Sequence, residues 1–209
     1  KLLVSYGGAI ASVNSVGLDI ENCEFENNTA CQGGAIYETW AISEPNTDWS
    51  WYTSIVSKSE FINNSAYLGG AAMYDYSKPW ITESEFTQNS AYDFLYPDAS
   101  DMNSIGSDGG ALAIFDADAY IADCNISHNF SQSSGGGILM RGSNYARIKN
   151  CLIAGNISGR DGAGISMNWY YTADIQSSTI FGNMVRGNDY GKRYGGGIYC
   201  SYSSFAEII

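Results

Sequence analysis

Two short patterns alternate along the chain in unbroken order, and this constrains its folding more than any other feature. The first is a pair of glycines, or a close variant, followed by a small residue and an aliphatic. It occurs as Gly7-Gly8-Ala9-Ile10, Gly33-Gly34-Ala35-Ile36, Gly69-Gly70-Ala71-Ala72, Gly109-Gly110-Ala111-Leu112, Gly135-Gly136-Gly137-Ile138, Gly162-Ala163-Gly164-Ile165 and Gly195-Gly196-Gly197-Ile198. The second runs from Cys or Ser through an apolar residue to Asn: Cys23, Phe25, Asn28; Ser59, Phe61, Asn64; Ser84, Phe86, Asn89; Cys124, Ile126, Asn129; Cys151, Ile153, Asn156; Ser178, Ile180, Asn183. A third mark, Ile20, Val56, Ile81, Ile121, Ile148 and Ile175, lies five positions before each of those apolar residues.

Between the aliphatics of the first pattern the periods are 26, 36, 40, 26, 27 and 33 residues, a basal unit lengthened by insertions. Periods in this range belong to solenoids, whose units bury their apolar faces only against neighbours. Within a unit the apolar positions alternate with polar ones, as in Cys23 and Phe25 against Glu24 and Glu26, which is strand rather than helix periodicity. Three short strands per unit, joined by tight turns, predict an all-β parallel β-helix of about seven rungs with loop insertions. The asparagines recur because Asn tolerates a left-handed turn and passes amide hydrogen bonds to the Asn of the next rung. The glycines provide positive φ and remove side chains where the coil bends.

A single repeat running from Gly7 onward leaves no room for a linker, so residues 1–209 read as one β-helix segment. Lys1-Leu2-Leu3-Val4 leads straight into a glycine turn and Ile208 falls where Ile20 and Ile175 fall, so the segment is expected to be part of a longer chain. Other copies, or further rungs of the same chain stacked end to end, are the expected partners. The formal net charge is −12, with ten Lys or Arg against 22 Asp or Glu, which speaks against nucleic acid and anionic membrane surfaces. No run of eighteen apolar residues would form a spanning helix.

The alternation of Gly-Gly-Ala-Ile and Phe-x-x-Asn motifs resembles the repeat of the polymorphic outer-membrane proteins, the adhesive surface β-helices of chlamydial autotransporters. It is also similar to the wider group of pectate-lyase-like right-handed β-helix proteins. The resemblance covers nearly the whole chain and implies a right-handed coil. It implies an extracellular or cell-surface location and a structural or adhesive role, in a filament or appendage. The same coil also carries polysaccharide lyases and hydrolases, so activity has to be argued from a site.

No nucleophile elbow, phosphate loop or metal-type Cys/His spacing is present, so no cofactor and no metal is expected. His128 holds the turn position occupied elsewhere by Asn27, Asn63 and Gln88, and reads as a surface turn residue. Glu24, Glu60 and Glu85 hold one outward position in successive rungs, and like charges so stacked repel. They read first as a solvated acidic face with Lys58 nearby, and second as a Ca²⁺ site or the carboxylates of a carbohydrate-active lyase or hydrolase. The expectation is a non-catalytic protein, with that enzyme as the alternative.

Two insertions carry dense aromatics. Trp40, Trp49, Trp51 and Tyr52 lie in one, and Tyr92, Phe94 and Tyr96 in the other. They are candidates for stacking on carbohydrate or anchoring a host or surface protein, or else for packing as lids on the coil. Tyr37, Tyr74 and Tyr199 read as packing residues. Cys124 and Cys151 share a rung position, and stacked thiols are favoured there over a bridge. Cys23 and Cys31, eight apart across a turn, are the better disulfide candidates. Of five sequons, Asn27, Asn63 and Asn125 should face outward as glycosylation sites, whereas Asn129 and Asn156 belong to the asparagine ladder.

Overall fold

The computed structural model describes residues 5–15, 17–40, 53–92, 107–186 and 193–209. These form a parallel β-helix with four walls. The first wall follows the glycine motif: β1 (Ile10–Val13), β4 (Ile36–Thr39), β8 (Ala72–Asp75), β12 (Leu112–Phe115), β16 (Ile138–Arg141), β20 (Ile165–Asn168) and β24 (Ile198–Cys200). The second comprises β2 (Asp19–Glu21), β5 (Thr53–Ser57), β9 (Lys78–Thr82), β13 (Ala119–Ala122), β17 (Tyr145–Lys149), β21 (Thr172–Gln176) and β25 (Phe205–Ile208). The third comprises β3 (Glu24–Glu26), β6 (Glu60–Ile62), β10 (Glu85–Thr87), β14 (Asn125–Ser127), β18 (Leu152–Ala154) and β22 (Thr179–Phe181). A fourth, narrow wall was not expected: β7 (Ser65–Ala66), β11 (Ser90–Ala91), β15 (Phe130–Ser131), β19 (Ile157–Ser158) and β23 (Met184–Val185). Strands of two residues are too short for alternation to be visible in sequence.

The register follows the sequence marks. Phe25 pairs with Phe61, Phe61 with Phe86, Phe86 with Ile126, Ile126 with Ile153 and Ile153 with Ile180. The three rings stack at centroid distances of 4.8 and 4.6 Å, nearly coplanar at 9° and 4°. Ile36, Leu112, Ile138, Ile165 and Ile198 line the first wall's inner face, and Ile20, Val56, Ile81, Ile121, Ile148 and Ile175 line the second's. Each fully buried large side chain contributes about 1.5–3 kcal/mol. Tyr74 and Tyr171 also fill the lumen, and the Tyr171 hydroxyl donates to Ala117 O at 2.6 Å. Tyr37 points outward and is nevertheless covered, in a small cluster with Met73 and Ala113.

Each corner has a physical cause. Gly69 sits at φ +65°, and a Cβ on Gly70 would lie 2.0 Å from Gly110 O of the next rung, so neither position admits a side chain. At the corner between second and third walls, Asn22, Lys58, Glu83, Asp123, Asn150 and Ser177 all take positive φ. Ser hydroxyls close this corner: Ser59 Oγ and Ser84 Oγ accept the Cys23 and Ser59 N–H groups, each at 3.1 Å.

The asparagine ladder forms the corner after the third wall. Asn89 Oδ1 accepts the N–H of Asn64 at 2.9 Å and its side-chain amide at 3.0 Å. Asn89 Nδ2 in turn donates to Phe61 O at 2.9 Å and to Asn129 Oδ1 at 3.0 Å. The same scheme links Asn28 to Asn64, Asn129 to Asn156 and Asn156 to Asn183.

Replacing Asn89 by Ala strands the buried Asn64 donors and the Phe61 carbonyl, each costing about 1–3 kcal/mol when unsatisfied. Chemical denaturation should show Asn89→Ala destabilised by about 3 kcal/mol or more. Gln88→Asn, exposed at the adjoining left-handed position, should change stability by less than about 0.5 kcal/mol. Equal effects would refute the ladder's role.

Candidate functional site

The outer faces of the coil carry the candidates, because the lumen is filled. The acidic column is in register: Glu24 pairs with Glu60 and Glu60 with Glu85, followed by Asn125, whose Nδ2 donates to Glu85 Oε1 at 3.2 Å. Lys58 does not serve this column. It pairs with Glu21 Oε1 at 2.9 Å, and that contact holds the exposed Glu21 carboxyl below its usual range. No cluster of metal-ligating side chains occurs among the described residues.

The second wall presents a column that sequence reasoning passed over. Ile55 pairs with Trp80, Trp80 with Tyr120 and Tyr120 with Arg147, all on the outer face. The Trp80 and Tyr120 rings lie 4.2 Å apart, and Trp80 is about half exposed. A groove of about 280 Å³ runs beside them past Thr53, Lys78, Asp118, Tyr145 and Arg147. It adjoins one of about 350 Å³, which shares Lys78 and Asp118 and reaches Tyr76, Asp116 and Asn144. Asp118 Oδ1 accepts the Tyr145 N–H at 3.0 Å, and Arg147 meets Asp174 at 3.5 Å. The signal was available, since each member of the column immediately precedes an inward residue of the third sequence mark.

A further groove of about 370 Å³ opens on the outer side of the first wall. Asp108, Ser133, Arg160 and Asp161 bound it on the side before the glycine corner, and Arg141, Trp169 and Tyr202 on the other.

Of the aromatic candidates from the insertions, Trp40 is half-buried and donates its N–H to Asp75 O at 3.1 Å, and Tyr92 is half-buried and donates to Ala66 O at 2.9 Å. Trp49, Trp51, Tyr52, Phe94 and Tyr96 lie outside the described residues. His128 is exposed at φ 58° in the turn column of Asn27, Asn63 and Gln88, as expected.

The expected bridge between Cys23 and Cys31 does not form. Cys23 sits at the corner before β3 with its Sγ donating to Glu21 O at 3.3 Å, whereas Cys31 follows the Asn28 corner. The strand β3 and the Asn28 corner lie between the two residues along the rung. Cys124 and Cys151 are buried, unbridged thiols, as the repeat position suggests. The hydrogen bond they share, together with burial, pushes the Cys124 thiol up.

The sequons divide as the fold dictates. Asn27 and Asn63 are exposed, with Asn63 Nδ2 donating to Asn27 Oδ1 at 2.6 Å, and Asn125 is half-exposed. Asn129 and Asn156 are buried in the ladder. Expressed through a glycosylating secretory pathway, the chain should carry sugar at Asn27, Asn63 or Asn125 and none at Asn129 or Asn156. Glycopeptide mass spectrometry reads this directly, and a glycan on Asn156 with Asn63 bare would contradict the facing.

Inside the coil, Glu38 sits on the inner face of β4, with Oε1 accepting from Ser54 Oγ at 2.5 Å and Oε2 unpartnered. Burial pushes Glu38, Asp75, Asp108 and Asp161 above the ordinary carboxylate range, against the hydrogen bonds each accepts. The folded chain therefore holds these protons more tightly than the unfolded one. The contribution of these four groups to stability is fullest below the unfolded carboxylate range, about 4, and is lost as pH rises through the raised values. Denaturation midpoints should be lower at pH 8 than at pH 5, and Glu38→Gln should narrow that gap. An identical gap in the variant would show that Glu38 titrates normally.

A coil of stacked parallel strands with filled lumen and grooved outer faces defines a β-helix protein. The family model for the right-handed β-helix region matches residues 9–209, and the chain belongs to that family. No curated protein and no solved structure matches it.

Proposed function

We propose that this chain is a non-catalytic structural and adhesive β-helix component of an extracellular or cell-surface assembly, such as a filament or appendage. The observation that carries the reading is the Ile55, Trp80, Tyr120 and Tyr145 surface of the second wall. Large aromatic and aliphatic side chains stand outward there on a rigid sheet, with Ile55 42%, Trp80 47% and Tyr145 39% exposed. Half-exposed Trp and Tyr on a preorganised surface are the residues that dominate protein and carbohydrate interfaces. Lys78, Asp118 and Arg147 around them provide polar contacts that orient a partner. The motif resemblance to the polymorphic outer-membrane proteins and to pectate-lyase-like surface proteins points the same way. Axial pairing of like strands favours end-to-end growth by further rungs or further copies.

The alternative, a carbohydrate-active enzyme, is favoured by the in-register Glu24, Glu60 and Glu85 column. Beads coated with the protein and applied to mucin, gelatin and self-coated surfaces separate the two readings. Retention on at least one surface, reduced tenfold or more by Trp80→Ser with Tyr120→Ser at unchanged melting temperature, is the expected result. No retention on any surface, with reducing or unsaturated ends released from a polysaccharide panel and lost in Glu60→Gln, would replace adhesion by catalysis.

A further inference from the structure

The groove on the first wall brings two of the chain's few cations together with two carboxylates, Asp108 and Asp161. The chain has only ten Lys or Arg against 22 Asp or Glu, yet Arg141 and Arg160 both line this one depression. Arg141 enters none of the three ion pairs among the described residues. Its guanidinium lies over the Trp169 ring at 4.2 Å, a cation–π contact that fixes the plane of the group without neutralising it.

The carboxylates nearby are already engaged. Asp108 Oδ1 accepts the Ser134 N–H at 2.8 Å, and Asp161 Oδ1 accepts the Tyr194 N–H at 3.0 Å. Asp161 Oδ2 meets Arg160 Nε at 3.5 Å. Burial raises both carboxyls above their ordinary range, against the pull of these hydrogen bonds and of Arg160. Thus Arg141 is an oriented cation of the groove that makes no direct ion pair among the described residues, with Asp108 near enough for the two charges to attract.

The remaining lining is suited to a hydroxylated ring. Asn168 and Ser201, hydrogen-bonded to each other, lie in one wall of the groove with Ser133 and Ser134 opposite. Tyr202, 70% exposed, stands at the rim in edge contact with Trp169, their centroids 6.4 Å apart. The volume of about 370 Å³ is at the small end for ligand sites and suits one or two sugar residues rather than a protein loop.

We infer that this groove is a binding site for a carboxylated sugar residue. The carboxylate is received by the Arg141 guanidinium, with the Arg160 and Asp161 pair closing the far side of the groove. The ring hydroxyls meet Asn168, Ser201 and Ser133, and the apolar ring face lies against Tyr202. Arginine suits this role because its fork matches a carboxylate in two parallel hydrogen bonds. A lone inorganic anion would use the arginines and leave the tyrosine and amide without work. The inference deepens the adhesive reading by naming a ligand class, but it concerns a different face from the Trp80 column.

The test is titration of the intact chain, followed by calorimetry and ligand-observed NMR, with N-acetylneuraminic acid, glucuronic acid, glucose and inorganic phosphate. At least one of the two sugar acids should bind, at least tenfold tighter than glucose and phosphate. Arg141→Gln should lose that binding tenfold or more. Tyr202→Ser, at an exposed rim position that leaves packing intact, should weaken the sugar acid several-fold and leave phosphate unchanged. Phosphate binding as tightly as the sugar acids would make the groove a general anion site and overturn the inference, as would equal binding of glucose or no binding of either acid. Bead retention that depends on Trp80 and Tyr120 reports separately on the adhesive reading. If it persists while sugar acids fail to bind, only the ligand assignment falls; if both fail, both fall.

Discussion

Every feature of this molecule depends on one constraint, that a side chain meets its equivalent from the next rung at about the spacing of hydrogen-bonded strands. The asparagine corner makes the constraint visible. Each buried amide of Asn64, Asn89, Asn129 and Asn156 bonds to the asparagine of the following rung and to a backbone carbonyl of the preceding one. A slip of one residue would withdraw these donors and acceptors together and turn Phe61 and Phe86 to solvent, because side-chain facing alternates along a strand. Register is therefore set by polar and apolar columns acting on the same rungs.

The same repetition explains what the coil tolerates. Identical neighbours are favourable where they stack rings or pass hydrogen bonds, as in the Phe25, Phe61 and Phe86 pile. They are unfavourable where they stack like charges, as in Glu24, Glu60 and Glu85, and that column ends at Asn125, which donates to Glu85. Insertions are absorbed because rung length is free while rung registry is not. Residues 36 and 72 pair directly despite the long segment between them.

Function on such a scaffold belongs to its outer faces, since the lumen is filled by Ile, Leu, Phe, Met and two buried tyrosines. A flat parallel sheet holds outward residues in straight columns, so a binding surface arises from single residues on several rungs. The Ile55, Trp80, Tyr120 and Arg147 column draws on four rungs. The Arg141 groove likewise gathers residues from Asp108 to Tyr202. Neither forms a contiguous motif, which is why searches for loops and short signatures pass over both.

The sequence by itself determined the solenoid, its rung marks, the inward phenylalanine and isoleucine columns, the asparagine ladder and the outward or inward facing of each sequon. These are properties of a period, and a period is local information repeated. Tertiary structure alone decided the narrow fourth wall, whose two-residue strands carry no alternation, and the separation of Cys23 from Cys31 on different corners of a rung. It also decided which charges meet. Lys58 joins Glu21 rather than the acidic column, and Arg141 lies on Trp169 with no direct ion pair among the described residues, because those contacts run between rungs 25 to 40 residues apart, where side-chain reach and corner geometry, not spacing, select the partner.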